Sequence, residues 1–102
     1  MSDTAGIYAN DPNLRAVQLG LDVQHFITHN KVGMYLIERA HQDRAEALEA
    51  LAEVDPLDGA RVRELQWRAR TPELFLGWLD EAIAGGEAAE ETIVTEEAAE
   101  RY

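Results

Sequence analysis

Three side chains at helical spacing form the arrangement in this chain that most resembles a metal site. Asp22, His25 and His29 follow one another at intervals of three and four residues, which would place them on one face of a helix. Carboxylate and imidazole groups are ligands for zinc. The set requires a helix that continues past Ile27, whereas Thr28-His29-Asn30 has the composition of a corner. We therefore predict no bound metal and expect ordinary hydrogen bonds from these histidines.

The residue types needed for covalent catalysis are nearly missing. The chain has no cysteine, and Ser2 is its sole serine, so no nucleophile is available beside a base. Gly85-Gly86 lacks the strand and the lysine of a phosphate-binding loop. The carboxylates are distributed over what we expect to be solvated helix faces. The sequence therefore predicts a protein that is not an enzyme and carries no cofactor.

Charge restricts the partners of the protein. Nine Lys and Arg residues against twenty Asp and Glu residues give a net charge of −11, the wrong sign for following a phosphate backbone. One basic cluster surrounds Trp67, and an aromatic ring among arginines can stack on bases. The cluster comprises Arg61, Arg63, Arg68 and Arg70. The net charge favours pairing of the cluster with acidic residues of the same chain, so we do not expect direct nucleic-acid binding.

The spacing of apolar residues predicts an all-α fold with three helices. A flexible N-terminal arm over residues 1–11 precedes a helix at about 12–27, for which Asp11 is a suitable cap and Pro12 a suitable first residue. A second helix is expected at about 31–54, capped by Thr28 or Asn30. A third is expected at about 57–84, with a kink or break near Pro72.

The third helix has the clearest pattern. Its apolar residues recur at alternating steps of three and four, as expected of a helix that packs along its length. This seam is Val62, Leu65, Ala69, Pro72, Leu76, Leu79 and Ile83. Gly85-Gly86 is expected to end the helix. Residues 87–102, with six glutamates and one arginine, are expected to form a flexible acidic tail, either as a short, weak helix or as disorder.

The short link between the second and third helices predicts a long antiparallel helical hairpin. Asp55-Pro56-Leu57-Asp58-Gly59 has the composition of a tight turn. The helix at 12–27 is expected to cover one flank of this hairpin. In an antiparallel arrangement the basic cluster lies beside an acidic row on the second helix. That row is Asp43, Glu46, Glu49 and Glu53.

The large apolar side chains outnumber the positions that one seam can bury. We therefore predict that the protein binds itself, as a homo-oligomer, or a stable protein partner. The predicted interface residues are Trp67, Phe75, Trp78, Leu79 and Ile83. Trp78 is expected to contribute more than Trp67, because it lies among Phe75 and Leu79 whereas Trp67 is flanked by arginines.

Residues 26–88 resemble small uncharacterised proteins of tailed bacteriophages and prophages. The resemblance rests on Gly33-x-Tyr35-Leu36-x-x-Arg39-Ala40, Ala47-Leu48-x-x-Leu51, Val54-Asp55-Pro56, Leu65-Gln66 and Trp78-Leu79-x-Glu81-Ala82-Ile83 with the following glycine. Such proteins tend to be encoded near genes for head assembly and DNA packaging. The resemblance therefore implies a virion-associated or assembly role, without known chemistry. Thr71-Pro72 departs from the continuous polar helix expected at that point.

Together these features predict a non-enzymatic interaction protein, a virion- or packaging-associated component of a phage. The alternative is an acidic inhibitor or DNA mimic that occupies the basic groove of a host nucleic-acid enzyme, such as a defence nuclease. The first residues lack the basic and apolar regions of a signal peptide, and the chain has no long apolar run. We therefore expect no membrane association and a location in the host cytoplasm or on the virion.

Overall fold

The chain folds into three α-helices in a computed structural model that describes residues 11–100. These are α1 (Pro12–Thr28), α2 (Lys31–Glu53) and α3 (Gly59–Glu100). No strand occurs within those residues, and the predicted all-α fold is confirmed. The expected flexible arm lies outside the described residues, except for Asp11.

A short polar side chain precedes each helix and caps it. The Asp11 carboxylate accepts hydrogen bonds from the backbone amides at positions 13 and 14, at 2.9 and 3.2 Å. The Asn30 side chain accepts from the amides at positions 32 and 33, at 2.9 and 3.0 Å. Asp58 accepts from the amide at position 61, at 3.1 Å. Each cap satisfies amides that have no partner within the first turn, and each contributes about 1 kcal/mol.

The prediction that Gly85-Gly86 ends the third helix is wrong, because α3 continues through both glycines to Glu100. Each glycine disfavours a helix by about 1 kcal/mol relative to alanine. Alanine and glutamate, which favour helices, surround the pair, and Gly86 is buried against α1. The burial of Gly86 against α1 and the helix propensity of the residues before and after the pair together outweigh the free-energy cost of the two glycines. Flexibility of the acidic segment in solution stays a prediction.

Pro72 also lies within α3 and does not divide it. A proline removes one backbone donor and crowds the carbonyl one turn earlier. Beside it, the Thr71 hydroxyl donates a hydrogen bond to the Trp67 carbonyl at 2.9 Å. The carbonyl that loses its amide partner to Pro72 is that of Arg68, so this bond does not replace the missing donor.

Contacts divide the chain into two compact units, and α3 contributes to both. The central unit is Ile27–Trp78, which contains α2 and the first part of α3. Leu65 is 2% exposed and is its largest fully buried side chain. Gly33, Ala40, Ala47 and Ala69 are also buried. Small residues at these positions permit close approach of the helices, and Arg44 of α2 forms an ion pair with Glu73 of α3 at 2.6 Å.

The terminal unit comprises residues 11–26 and 79–100. Here α1 packs against the part of α3 around Gly86. Gly20 and Gly86 meet at the crossing: a methyl group built on Gly86 would lie 2.9 Å from the Ala16 carbonyl oxygen. Ala89, one turn further along α3, is buried as well. Helix α1 therefore packs against this part of α3 within the terminal unit.

Candidate interaction surface

One face of α3 in the central unit carries a row of exposed residues, most of them apolar. Trp67, Thr71, Leu74 and Trp78 are spaced by four, three and four residues, so they lie in line along the helix. Trp67 is 65% exposed, Leu74 is 41% exposed and Trp78 is 63% exposed. We call this row the outer face. Each member follows a seam residue by two positions, which places the row on the opposite side of the helix.

Basic side chains surround the first tryptophan of the outer face. Arg63, Gln66, Trp67 and Arg70 line an open groove of about 400 Å³. Neither Arg63 nor Arg70 forms an ion pair with any residue in the range 11–100. The surface at this end of α3 is therefore an aromatic ring with a positively charged rim, a combination that is common at protein interfaces.

The predicted pairing of the basic cluster with the acidic row is not present among the described residues. Arg61 pairs with Glu64 of its own helix at 3.0 Å, and Asp43 accepts from Arg39 of its own helix at 2.9 Å. The ion pair between α2 and α3 has the reverse polarity, since Arg44 on α2 meets Glu73 on α3. Partners one helical turn away are already close without any rearrangement. Local pairs therefore form in place of the predicted ones.

A second groove of about 400 Å³ lies between α2 and α3 of the central unit. It is lined by Arg39, Asp43, Glu46, Trp67, Arg68, Thr71 and Pro72. The hydrogen bond and the charge of Asp43, with a smaller contribution from Tyr35, raise the pKa of Arg39 above its usual value. Arg68 forms no ion pair within the part of the chain that the structure describes. Trp67 thus borders a groove on each side.

The five predicted interface residues occupy two kinds of environment. Trp67 and Trp78 are mostly exposed. Phe75, Leu79 and Ile83 are half-buried, as expected of residues that belong to the seam or lie next to it. The row from Trp67 to Trp78 also contains Thr71 and Leu74, which we did not predict as interface residues. The alternating spacing of three and four residues that identifies the seam also identifies this second row on the same helix.

The three candidate metal ligands are not brought together. Within residues 11–100 no group of three or more histidine, aspartate or glutamate side chains is arranged to hold a metal ion. Helix α1 ends at Thr28, so His29 does not continue the helical face of Asp22 and His25. The Asp22 carboxylate instead accepts a hydrogen bond from the Gln18 amide at 2.8 Å.

Among the helices of residues 11–100, none has a stretch that is apolar enough over the length of a membrane crossing. Comparison with family models, with curated proteins and with solved structures gave no significant match to this chain. The arguments for function therefore rest on the outer face and on the charges around it.

Proposed function

We propose that this protein acts by contact, as a non-enzymatic helical interaction protein whose outer face binds a second protein surface. The observation that carries the proposal is the exposure of two tryptophans in line on one helix, at 65% and 63%. A tryptophan buries about 150–250 Å² when it is covered, and tryptophan is enriched among residues that dominate binding energy. Covering both rings would therefore remove a large apolar area from water in a complex.

The proposed framework for this face is the antiparallel hairpin of α2 and α3. Two observations support it: the five-residue link between the helices, at 54–58, and the ion pair of Arg44 with Glu73. An exposed pair of this kind contributes about 0–1 kcal/mol, so packing of the seam supplies the stability. A helix supported along its length presents its side chains in a preorganised array, which lowers the entropy lost on binding.

The proposed setting is the assembly of a tailed phage. The pattern likeness over residues 26–88 supports it, and an accessory protein of a virion or packaging complex needs surfaces for contact and no catalytic group. The protein would act in the host cytoplasm or on the particle, through self-association or by docking on a larger assembly. A location of the gene beside portal and terminase genes would support this setting, and a location among unrelated host genes would contradict it.

Sedimentation velocity over a range of concentrations, with and without purified phage particles, tests the proposed surface. The variant with Trp67→Ala and Trp78→Ala should lose at least roughly 30-fold in affinity, because a single hot-spot tryptophan contributes about 2 kcal/mol or more. Leu57→Ala is the matched control: Leu57 is 92% exposed and lies before α3, off the outer face. Equal affinities for the double variant and the wild type would refute the proposal.

A second function is favoured by the helical geometry of residues 87–100. Six exposed glutamates lie in this part of α3, and a helix gives carboxylates a fixed spacing that a coil does not. We propose as the alternative an acidic inhibitor or DNA mimic directed at a basic groove of a host defence enzyme. Duplex DNA should then compete with the protein for that enzyme. Binding that persists unchanged in excess duplex would exclude this alternative.

A further inference from the structure

The terminal unit contains a groove whose shape and charge differ from those of the outer face. It runs between α1 and α3 and has a volume of about 260 Å³. Val17, Leu21 and Ile83 provide apolar walls, and Glu87 and Glu90 stand on the α3 side. Gly20 and Gly86, where the two helices are in backbone contact, also line the groove.

The charge of this groove is unbalanced within its own unit. Residues 79–100 carry one aspartate and seven glutamates and no lysine or arginine. Glu87 and Glu90 are exposed, and neither forms an ion pair within residues 11–100. The groove therefore combines apolar walls with polar groups from Gln24, Glu87 and Glu90. Apolar walls bordered by carboxylates that form no ion pair are complementary to an apolar side chain that is flanked by cations.

The basic end of the outer face has that composition. Residues 59–70 contain four arginines and one glutamate, and Trp67 lies between Arg63 and Arg70 on the exposed side. The groove volume of about 260 Å³ corresponds to roughly eight or nine waters at about 30 Å³ each. An indole ring that entered the groove would displace part of that water, and the guanidinium groups beside it would face the carboxylates at the border.

We propose that the occupant of the groove is Trp67 of a second copy of this chain, with Arg63 and Arg70 of that copy paired to Glu87 and Glu90. The inference rests on the proposed function and specifies its partner. Charge complementarity selects a second copy, because every chain carries both the positive aromatic surface and the negative groove. In a two-fold dimer the contact would form twice, once in each direction.

Charge reversal tests the proposed contact. Sedimentation velocity should show that Arg63→Glu with Arg70→Glu weakens self-association roughly tenfold or more, and that Glu87→Arg with Glu90→Arg does the same, because attraction becomes repulsion in each case. An equimolar mixture of the two variants should associate again, because the reversed surfaces are complementary to each other. All four positions are exposed, and far-UV circular dichroism of each variant checks the fold.

Glu96→Arg with Glu97→Arg is the matched control, since it changes the net charge equally on the same helix away from the groove. It should associate like the wild type. The inference is overturned if this control weakens association as much as the groove variant, if the mixture fails to recover, or if the wild type stays monomeric. Loss of association on removal of both tryptophans, with no effect of either charge reversal, would retain the proposed function and overturn this contact.

Discussion

At the scale of single residues, Gly20 and Gly86 show how missing side chains determine a packing distance. Each α-carbon lies 3.1 Å from the point that a methyl group on the other glycine would occupy. The neighbouring atoms are backbone atoms of the opposite helix, which cannot rotate away as the end of a side chain can. The two glycines are therefore required for α1 and α3 to cross at their present distance.

Gly86→Ala should lower the free energy of unfolding by about 1–3 kcal/mol, the usual range for overpacking. The new methyl group would lie 2.9 Å from the Ala16 carbonyl oxygen. Gly85→Ala is the control one position earlier, where a methyl group meets no atom within 4 Å. It should raise the free energy of unfolding by about 1 kcal/mol through helix propensity. Urea unfolding followed by circular dichroism measures both, and equal stabilisation by the two substitutions would refute the crossing.

At the scale of elements, α3 is a long continuous helix that contains two sites of low helix propensity, which we call its weak points. Pro72 and the Gly85-Gly86 pair lie within it, yet it extends for 42 residues. Its buried positions continue beyond Ile83 to Gly86 and Ala89. Burial on both sides of each weak point maintains the helix where its local preference is low.

Removing the end of α3 distinguishes a packed helix from a loose tail. A chain that stops after residue 87 loses Ala89, which is buried, and Ile93, which is half-buried. It should melt at a lower temperature than the full chain, because α1 then has less surface to pack against. A chain that stops after residue 96 loses only exposed residues among those described and should melt like the full chain. Equal melting temperatures for all three chains would restore the interpretation of a tail.

Pro72→Ala should raise the free energy of unfolding by about 1–3 kcal/mol. Proline disfavours a helix interior by about 3 kcal/mol, and packing of its half-buried ring offsets part of that cost. Gly77→Ala is a control for propensity alone, since a methyl group there meets nothing within 4 Å. Its gain should be about 1 kcal/mol. A loss of stability in Pro72→Ala, measured by urea unfolding, would mean that the proline ring is required at the seam.

At the scale of the whole molecule, charge is the dominant imbalance. The chain carries a net charge of −11, and three ion pairs between side chains are found within residues 11–100. Two of them link neighbouring turns of one helix, and all six side chains are at least 43% exposed. Such pairs contribute little, whereas repulsion among uncompensated carboxylates acts over about 10 Å at 0.1 M salt.

The melting temperature should therefore rise when sodium chloride is increased from about 0.05 M to about 0.5 M, because salt screens repulsion more than it weakens these few pairs. The melting temperature should be measured at a protein concentration at which sedimentation shows a monomer. Otherwise the weakening of the proposed contact between copies by salt would also change the melting temperature. The variant with Glu96→Arg and Glu97→Arg has a net charge four units less negative and should show a smaller rise. A melting temperature that falls with salt would mean that ion pairs dominate the stability.

Much of this architecture could be predicted because it depends on neighbours in the chain. Asp11, Asn30 and Asp58 cap helices through amides two or three residues away. The seam from Val62 to Ile83 is buried or half-buried throughout, as its spacing indicated. The exposure of Trp67 and Trp78 could also be predicted, because the large apolar side chains outnumber the positions that one seam can bury.

Tertiary structure decided what depends on residues far apart in the chain. Gly86 continues a helix because it meets Gly20, 66 positions earlier, and local propensity contains no information about that contact. Arg44 pairs with Glu73 while Arg63 and Arg70 have no ion-pair partner in the described residues, an outcome set by how two helices are rotated against each other. Periodicity shows which side of a helix is apolar. Only packing selects the surface that covers it, because that choice depends on shape and distance between elements.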